Sequence, residues 1–498
     1  MSDRKNGEKL LRYVNGRSCT LLGLGVSNLP LARMLLDAGI ELTVADKKSP
    51  CELGEAALAL QADGARFVSG EACFDRIDGE LIFRSPGIRP DINGIERAID
   101  RGAELTSEME LFLSLTDART FAITGSDGKT TSTTLTGKFL EAHAKRHGAG
   151  NVYVGGNIGK PLLTLCSEMD SSASAVLELS SFQLMTLKDA PAYCAITNLS
   201  PNHLDWHRGM EEYEAAKRHV IGERTKRVVL NAESEATARI AVEELSLSKR
   251  EVFLFSSRRK SLFEFSEFFN TLGASEGRLR SIYERNGVIV ISDGEREEEL
   301  LRVSDVLLPG RHNIENYMTA MALTYGQVDK DIYTDIARTF GGVEHRLELV
   351  RTLDGVDYYN SSIDSSPSRT AAALSALSGR DIVIICGGYD KKIPFEPLAR
   401  SLCESVRAVV LTGATARKIR EAIESFPEYD PEVLALIEKP CFEDAVLAAR
   451  SLARRGGCVL LSPACASFDA FKNFAERGET FKKIVRGYEP CGRNDTEN

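Results

Sequence analysis

Two glycines, a lysine and a run of hydroxyls follow a short apolar stretch in TFAITGSDGKTTSTTLTGKFL, residues 120–140. That combination can hold a phosphate. Gly125 and Gly128 let the backbone pass close to phosphate oxygens, and the N–H groups that open the next helix carry partial positive charge. Lys129 adds a full charge, and Thr130 adds a hydroxyl suited to magnesium. The common pattern G-x-x-x-x-G-K-[ST] needs a glycine where this chain has Ile123, so what remains is the shorter G-x-x-G-K-T. A bland alternative exists: a glycine turn capping a helix, with Lys129 merely solvated. The strand before the turn, the hydroxyls of Thr130 to Thr134 and the helix after it favour phosphate.

Other polar residues are less decisive. Glu178 ends an apolar strand in AVLELSSFQ, where a carboxylate can reach a nucleotide-bound magnesium ion or cap the next helix. His203 and His207 in NHLDWH have i, i+4 spacing, but no H-E-x-x-H accompanies them and zinc is not expected. Lys217 in YEAAK reads locally as a solvated helix lysine. Near the N-terminus, GLGVSN supplies Gly23 and Gly25 but places Asn28 where a dinucleotide fingerprint has its third glycine, with Asp46 where a ribose-binding acid would stand. An NAD site and a plain tight turn fit that stretch equally.

The elements that must position these groups are α/β. SCTLLGLGVSNLPLARMLLDAGIELTVADKKS reads as strand, glycine turn, helix, strand, and GELIFRSPGI as a strand ending in the turn Ser85-Pro86-Gly87. Strand–loop–helix units continue from FAITGSDGKTT through ASAVLELSSFQL, AYCAITN and TKRVVLN. Residues 256–308 are richer in charge, with Asn286-Gly287 between alternating apolar residues marking a hairpin, and read as a peripheral elaboration. A third series, GVDYYNSS, DIVIICGGYDKK, RAVVLTGAT and GCVLLSPACASF, follows Arg346. Three domains are expected: 1–108, 109–344 and 345–498, Rossmann-like at both ends with a P-loop ATPase-like centre.

Composition narrows the function. With 498 residues and 43% hydrophobic content, the chain has no apolar run near the roughly 20 residues that span a bilayer, and its start has no apolar leader region. A cytoplasmic protein without a membrane partner is expected. The 11 cysteines show no C-x-x-C spacing, which points to reduced thiols rather than a disulfide framework or zinc site. A net charge of −10 argues against nucleic acid as a partner.

Taken together, ITGSDGKTT, GGNIGKPLL, LELSSFQL, NHLDWH, YEAAK, LPGRHNIENYMTAMA, EHRLE and LLSPACASFDAFKNFAERGETF resemble the Mur ligases, in order along the chain. SPACASFDAFKNFAERG is the most specific of these and resembles the branch that joins D-glutamate to UDP-N-acetylmuramoyl-L-alanine at the expense of ATP. The resemblance implies a magnesium-dependent ligase of peptidoglycan precursor synthesis, acting as a monomer through an acyl phosphate. It implies that Gly125, Ser126, Asp127, Gly128, Lys129, Thr130 and Thr131 hold ATP, with Asn316 and Arg346 also contacting the nucleotide. Thr130, Glu178, His203 and Lys217 would serve the metals, Lys217 as a carbamate formed with carbon dioxide; Lys129, His203 and Lys217 would be catalytic. Val26, Ser27, Asp46, Lys47, Ser85, Pro86, Gly87 and Asn157 would face the uridine substrate, which tips the weak fingerprint against NAD. Lys391, Ser467 and Phe474 would surround D-glutamate.

One departure stands out. Relatives often carry Asp-Ser-Lys after the residue matching Asn360, whereas this chain has Ser361-Ser362-Ile363, with Asp364 and Arg369 as candidate substitutes. The alternatives are another amide ligase of the superfamily, of the folylpolyglutamate synthase type, and a nucleotide-binding protein without catalysis.

Overall fold

Apolar runs rich in Val, Ile and Leu, closed by small or polar residues, suit strands buried on both faces and helices that cross between them. The computed structural model describes residues 5–201, 203, 206–258, 278–308, 310–390 and 393–489. Among these, the strands form three sheets. The chain divides into two compact units, Met1–Thr339 and Phe340–Asn498, and the first unit contains two of the sheets.

The first sheet comprises β1 (Cys19–Leu22), β2 (Leu42–Asp46), β3 (Arg66–Ser69), β4 (Leu81–Arg84) and β5 (Glu104–Thr106). Its order is β3-β2-β1-β4-β5 and every pairing is parallel. The order reverses between β1 and β4, so the glycine turn after β1 and the Ser85–Gly87 turn after β4 meet at one crevice. Ligands of open parallel sheets bind at such a switch point.

The central sheet comprises β6 (Arg119–Thr124), β7 (Val152–Gly156), β8 (Ser174–Glu178), β9 (Tyr193–Ile196), β10 (Arg227–Asn231), β11 (Glu251–Ser256), β12 (Leu279–Arg285), β13 (Val288–Ser292) and β14 (Glu297–Arg302). β6 lies between β8 and β9, pairing Ile123 with Glu178 on one side and Thr124 with Ile196 on the other. That register delivers the glycine loop and the Glu178 carboxylate to the same edge. The helix Lys129–His147 continues from the loop and packs on the helix Arg311–Thr324, with Phe139 6.2 Å from Tyr317 between ring centres; Phe139 also lies 4.9 Å from Tyr333 of a third helix, Lys330–Ala337. Residues 316–324 of the second helix are all buried, which accounts for its lack of a polar face.

The charged segment expected to be peripheral belongs in part to this sheet. β12 pairs parallel with β11, and β13 and β14 add antiparallel strands beyond it. Asn286 and Gly287 have φ of +52° and +77°, as the tight hairpin requires. Half-buried Arg280 and Glu284 lie on β12 and further charges on the edge strand β14, while Tyr283, Ile289 and Val290 are buried. Residues 259–277, also in that segment, lie outside the described residues.

The second unit has β15 (Glu348–Leu353), β16 (Val356–Asn360), β17 (Ile382–Cys386), β18 (Ala408–Leu411), β19 (Ala435–Glu438) and β20 (Cys458–Leu461), in the order β15-β16-β20-β17-β18-β19. Among the described strands of this sheet only the β15–β16 pairing is antiparallel. No described helix is long and apolar enough to cross a membrane.

Local propensity and packing oppose each other at Gly94, in the helix Asn93–Asp100. A Cβ there would stand 1.7 Å from the carbonyl oxygen of Phe74. Gly94→Ala should lower stability by about 1–3 kcal/mol despite the better helix propensity of alanine, read as a lower denaturant midpoint. A rise in the midpoint would show that the contact relaxes freely.

Candidate active site

The glycine loop takes its shape from the residues that follow β9 and from Asn316. Gly125 has φ of +141° and Gly128, which opens the helix, has φ of +79°. A Cβ would approach Thr197 Oγ1 to 1.9 Å at Gly125 and Asn316 Oδ1 to 2.4 Å at Gly128. Beyond β9, the Asn198 carbonyl accepts from Ser126 N at 2.9 Å and its side-chain oxygen accepts from Asp127 N at 3.0 Å. Thr197 Oγ1 donates to the Asp127 carbonyl at 2.5 Å. Thr197 and Asn198 were not singled out by motif; their only signal was a polar cluster closing an apolar run. Thr130 and Thr131 lie half-buried in the first helical turn.

Two amines converge on one carbonyl. Lys129 Nζ donates to the Gly125 carbonyl at 2.9 Å and to that of Ser126 at 2.8 Å. From the helix Met210–Arg218, Lys217 Nζ donates to the same Gly125 oxygen at 2.8 Å and to Thr124 Oγ1 at 3.3 Å. One turn earlier, the Tyr213 hydroxyl lies 2.9 Å from Ser126 Oγ, and its ring lies 4.7 Å from Lys217 Nζ. Lys217 is 2% exposed, so the solvated reading taken from its local sequence is wrong. Its helix lays that face on the end of β6. Burial, with the charge of Lys129 adding to it, pulls the Lys217 amine down to about 7, against the pull of the Glu178 and Asp127 carboxylates.

Glu178 completes the group. Its Oε1 accepts from Asn157 Nδ2 at 2.9 Å and its carbonyl accepts from Asn157 N at 2.7 Å. Its Oε2 is buried without a hydrogen-bond partner. An acceptor left in that state is suited to a cation. Asn157 thus orients the acid, a role separate from the substrate contact expected of it.

His203 and His207 separate. His203 has φ of +54° and is exposed, its ring 5.0 Å from Phe182. His207 is buried, with Nε2 2.9 Å from Ser181 Oγ and Nδ1 3.3 Å from Glu212. Arg89 binds Glu212 at 2.8 Å and the Trp206 carbonyl at 2.7 Å, and Trp206 Nε1 donates to the Gly87 carbonyl at 3.3 Å. The turn after β4 is thereby fastened to the His203 segment.

At the switch point of the first sheet, Gly23 has φ of +79°. Asn28, where a fingerprint glycine was missing, is buried and donates to the Gly23 carbonyl at 2.9 Å and to Ser85 Oγ at 3.0 Å. Ser85 Oγ in turn donates to Gly23 at 3.0 Å. Asp46 accepts from Leu24 N at 2.8 Å and from Lys48 N at 2.9 Å, while Lys47 pairs with Glu71 at the surface. Val26 is 80% exposed and Ser27 borders the helix. Arg84, which the sequence did not mark, is buried beneath this turn. Its Nη1 donates to Pro86 at 3.1 Å and Ile88 at 2.6 Å, and its Nη2 to Phe182 at 2.8 Å; burial lowers its pKa to about 10.

Asn316, buried, accepts from Ser132 Oγ at 3.2 Å and walls the loop at Gly128. In the second unit, Arg346 is exposed, Ser467 is buried, and Phe474 opens the helix Phe474–Arg486 with its ring 5.9 Å from His345. Lys391 lies outside the described residues. In the departing loop, buried Arg477 donates through Nε to Ser362 Oγ at 3.0 Å and through Nη2 to the Ser362 carbonyl at 2.9 Å, and Ser362 Oγ donates to the Phe474 carbonyl at 2.7 Å. Asp364 is buried, its carboxyl raised by that burial, and accepts from Ser462 Oγ at 2.8 Å. Arg369 is exposed, with Nη1 3.2 Å from the Ile363 carbonyl.

Comparison with known proteins decides the family. Residues 123–324 match the Mur ligase middle domain and residues 345–465 match the glutamate ligase domain of Mur ligases. The UDP-N-acetylmuramoylalanine--D-glutamate ligase of Ruminiclostridium cellulolyticum is 39% identical over 96% of this chain and 98% of its own. That of Acetivibrio thermocellus is 40% identical over the same shares. The chain belongs to the Mur ligase family. Solved members share the fold at lower identity. A UDP-N-acetylmuramoyl-L-alanyl-D-glutamate--2,6-diaminopimelate ligase matches with TM-score 0.53 and 15% identity, covering 90% of this chain and 93% of its own. The UDP-N-acetylmuramate-alanine ligase MurC from Thermotoga maritima matches with TM-score 0.51 and 17% identity, covering 94% and 99%.

The buried amine of this Mur ligase carries a pH signature. Its folded pKa lies below the unfolded one, so between about 7 and the ordinary lysine value the unfolded chain binds the extra proton and stability rises with pH. In metal-free, carbon dioxide-free buffer, Lys217→Met should therefore be more stable than the parent at pH 7, by on the order of 1–3 kcal/mol. That advantage should shrink as the pH rises towards 10. An advantage independent of pH would mean that Lys217 is not held against its charge.

Proposed function

We propose that the chain joins D-glutamate to UDP-N-acetylmuramoyl-L-alanine with ATP, forming an amide in peptidoglycan precursor synthesis. The observation that carries this reading is the convergence of Lys129 and Lys217 on the Gly125 carbonyl beside Glu178. Likeness to D-glutamate-adding relatives over nearly the whole chain supports the choice of substrates.

A carboxylate is a poor electrophile. An oxygen of the muramoyl-alanine carboxylate attacks the γ-phosphorus, ADP leaves, and the resulting acyl phosphate presents a carbon that the D-glutamate nitrogen attacks. The tetrahedral intermediate collapses, phosphate departs with the C–O bonding pair, and the nitrogen loses its proton. The Gly125–Thr131 loop and Lys129 hold the triphosphate, and Asn316 and Arg346 contact the nucleotide. The partnerless oxygen of Glu178, the Thr130 hydroxyl and His203 suit magnesium, which would neutralise charge on the moving phosphoryl group. An amine near neutrality is available to carbon dioxide, and a carbamate on Lys217 would supply a further oxygen ligand.

Residues 1–108 serve the uridine substrate through Val26, Ser27, Asp46, Lys47, Ser85, Pro86, Gly87 and Asn157. Residues 109–344 serve ATP, and residues 345–498 serve D-glutamate through Lys391, Ser467 and Phe474. We assign a cytoplasmic monomer; the described cysteines, all free, suit a reducing compartment.

Incubation with ATP, the muramoyl-alanine nucleotide and single amino acids tests the assignment. Phosphate release is expected with D-glutamate. Release only with another amino acid would redirect the specificity, and ATP binding without any turnover would favour a sensor. Lys129→Ala should reduce turnover by at least about a thousandfold with the fold retained. Lys217→Ala should lose activity that short carboxylic acids partly restore; a mutant as active as the parent without them would rule out a working carbamate.

A further inference from the structure

At the far end of the phosphate-loop helix a second cluster of ligating groups has no part in this chemistry. His143 and His147 stand one turn apart in the helix Lys129–His147, with ring centres 4.4 Å apart. Asp329, at the N-cap of the helix Lys330–Ala337, faces both. Its Oδ2 lies 2.6 Å from His147 Nε2 and its Oδ1 lies 3.6 Å from His143 Nδ1. One ligating atom from each residue falls within 4.8 Å of the other two. At 1.5 Å per residue, the cluster is about 20–27 Å along the helix from Lys129.

We propose that His143, His147 and Asp329 form a binding site for a borderline divalent transition cation such as zinc, cobalt or nickel. Two imidazoles and one carboxylate are a donor set that such cations favour, whereas magnesium and calcium prefer all-oxygen sites. Tetrahedral ligands at about 2.0–2.1 Å from a metal stand roughly 3.3 Å from one another. The three groups therefore need only small side-chain rotations to close on an ion. Half-exposure of the cluster leaves room for a water as fourth ligand.

Arg146 is the competing cation, 3.1 Å from Asp329 Oδ2. It has alternatives at neighbouring carboxylates, while His143 Nδ1 accepts a longer bond from Asp329 N at 3.4 Å, which an ion would displace. The shorter contact of Arg146 is to Asp331 at 2.8 Å, and Asp335 lies 3.7 Å away. An ion can take Asp329 while Arg146 stays paired with Asp331. Filled, the site ties the last turn of the phosphate-loop helix to the first turn of Lys330–Ala337. The plainer role, an ion-paired latch between two helix ends, needs no metal, and the two roles separate by experiment.

The full chain is titrated with cobalt(II) in excess magnesium, which keeps oxygen-rich sites filled. One equivalent is expected to give the visible absorption of four- or five-coordinate cobalt. His143→Gln with His147→Gln should abolish it, and His147→Gln alone, at an exposed position, should weaken binding at least tenfold. Zinc should displace the cobalt signal and raise the thermal midpoint of the parent but not of the double variant. Circular dichroism of the variants checks that they fold. An unchanged cobalt spectrum in the folded double variant, or no binding by the parent up to about 1 mM, would overturn the proposal.

Discussion

The carbonyl oxygen of Gly125 is the point on which the phosphate loop is organised. Lys129 approaches it from the loop's own helix and Lys217 from a helix about ninety residues later in the chain. Two like charges at one acceptor repel, and burial of Lys217 raises the penalty further. The conflict is lifted when one amine gives up its proton or when anions enter. The geometry therefore stores an electrostatic imbalance that suits ligands carrying negative charge. Glu178, with one oxygen fixed by Asn157 and the other unpartnered, adds a complementary imbalance of opposite sign.

The first sheet reaches this region through turns. Arg84 threads beneath the Ser85–Gly87 turn and touches the Phe182 carbonyl, while Arg89 and Trp206 fasten the far side of the same turn. The crevice between β1 and β4 is thus mechanically continuous with the segment bearing His203.

Much of this was legible in residue order. The loop and the strand before it declared themselves because glycine, lysine and hydroxyls carry chemistry at short range, whereas Glu178 reads as a strand end open between a metal and a helix cap. The hairpin at Asn286-Gly287 was legible for the same reason. Lys217 was not, because a lysine between Ala216 and Arg218 carries no local sign of burial; only the docking of its helix makes it unusual. Thr197 and Asn198 act across adjacent strands and Arg84 across sheets, and long-range partners leave no periodic trace. Asn28 looked like a defect in a fingerprint and is the clasp that closes the turn. The segment bearing β12 to β14 reads as peripheral, and these strands form the outer end of the central sheet with β14 at its edge; charges between their inner positions mask that those positions are buried.

The wall that Asn316 presents to Gly128 has a bearing on biosynthesis. Ser132 and Asn316 are separated by 184 residues in the chain yet share a hydrogen bond. A ribosome that has delivered the glycine loop must add most of the central sheet and then the helix Arg311–Thr324 before the loop has its final boundary. Until then, Gly128 and the turn after it lack the contact that limits their freedom. Nascent chains halted short of that helix would carry the glycine loop without its enclosing side, so the loop reaches its final boundary late in translation.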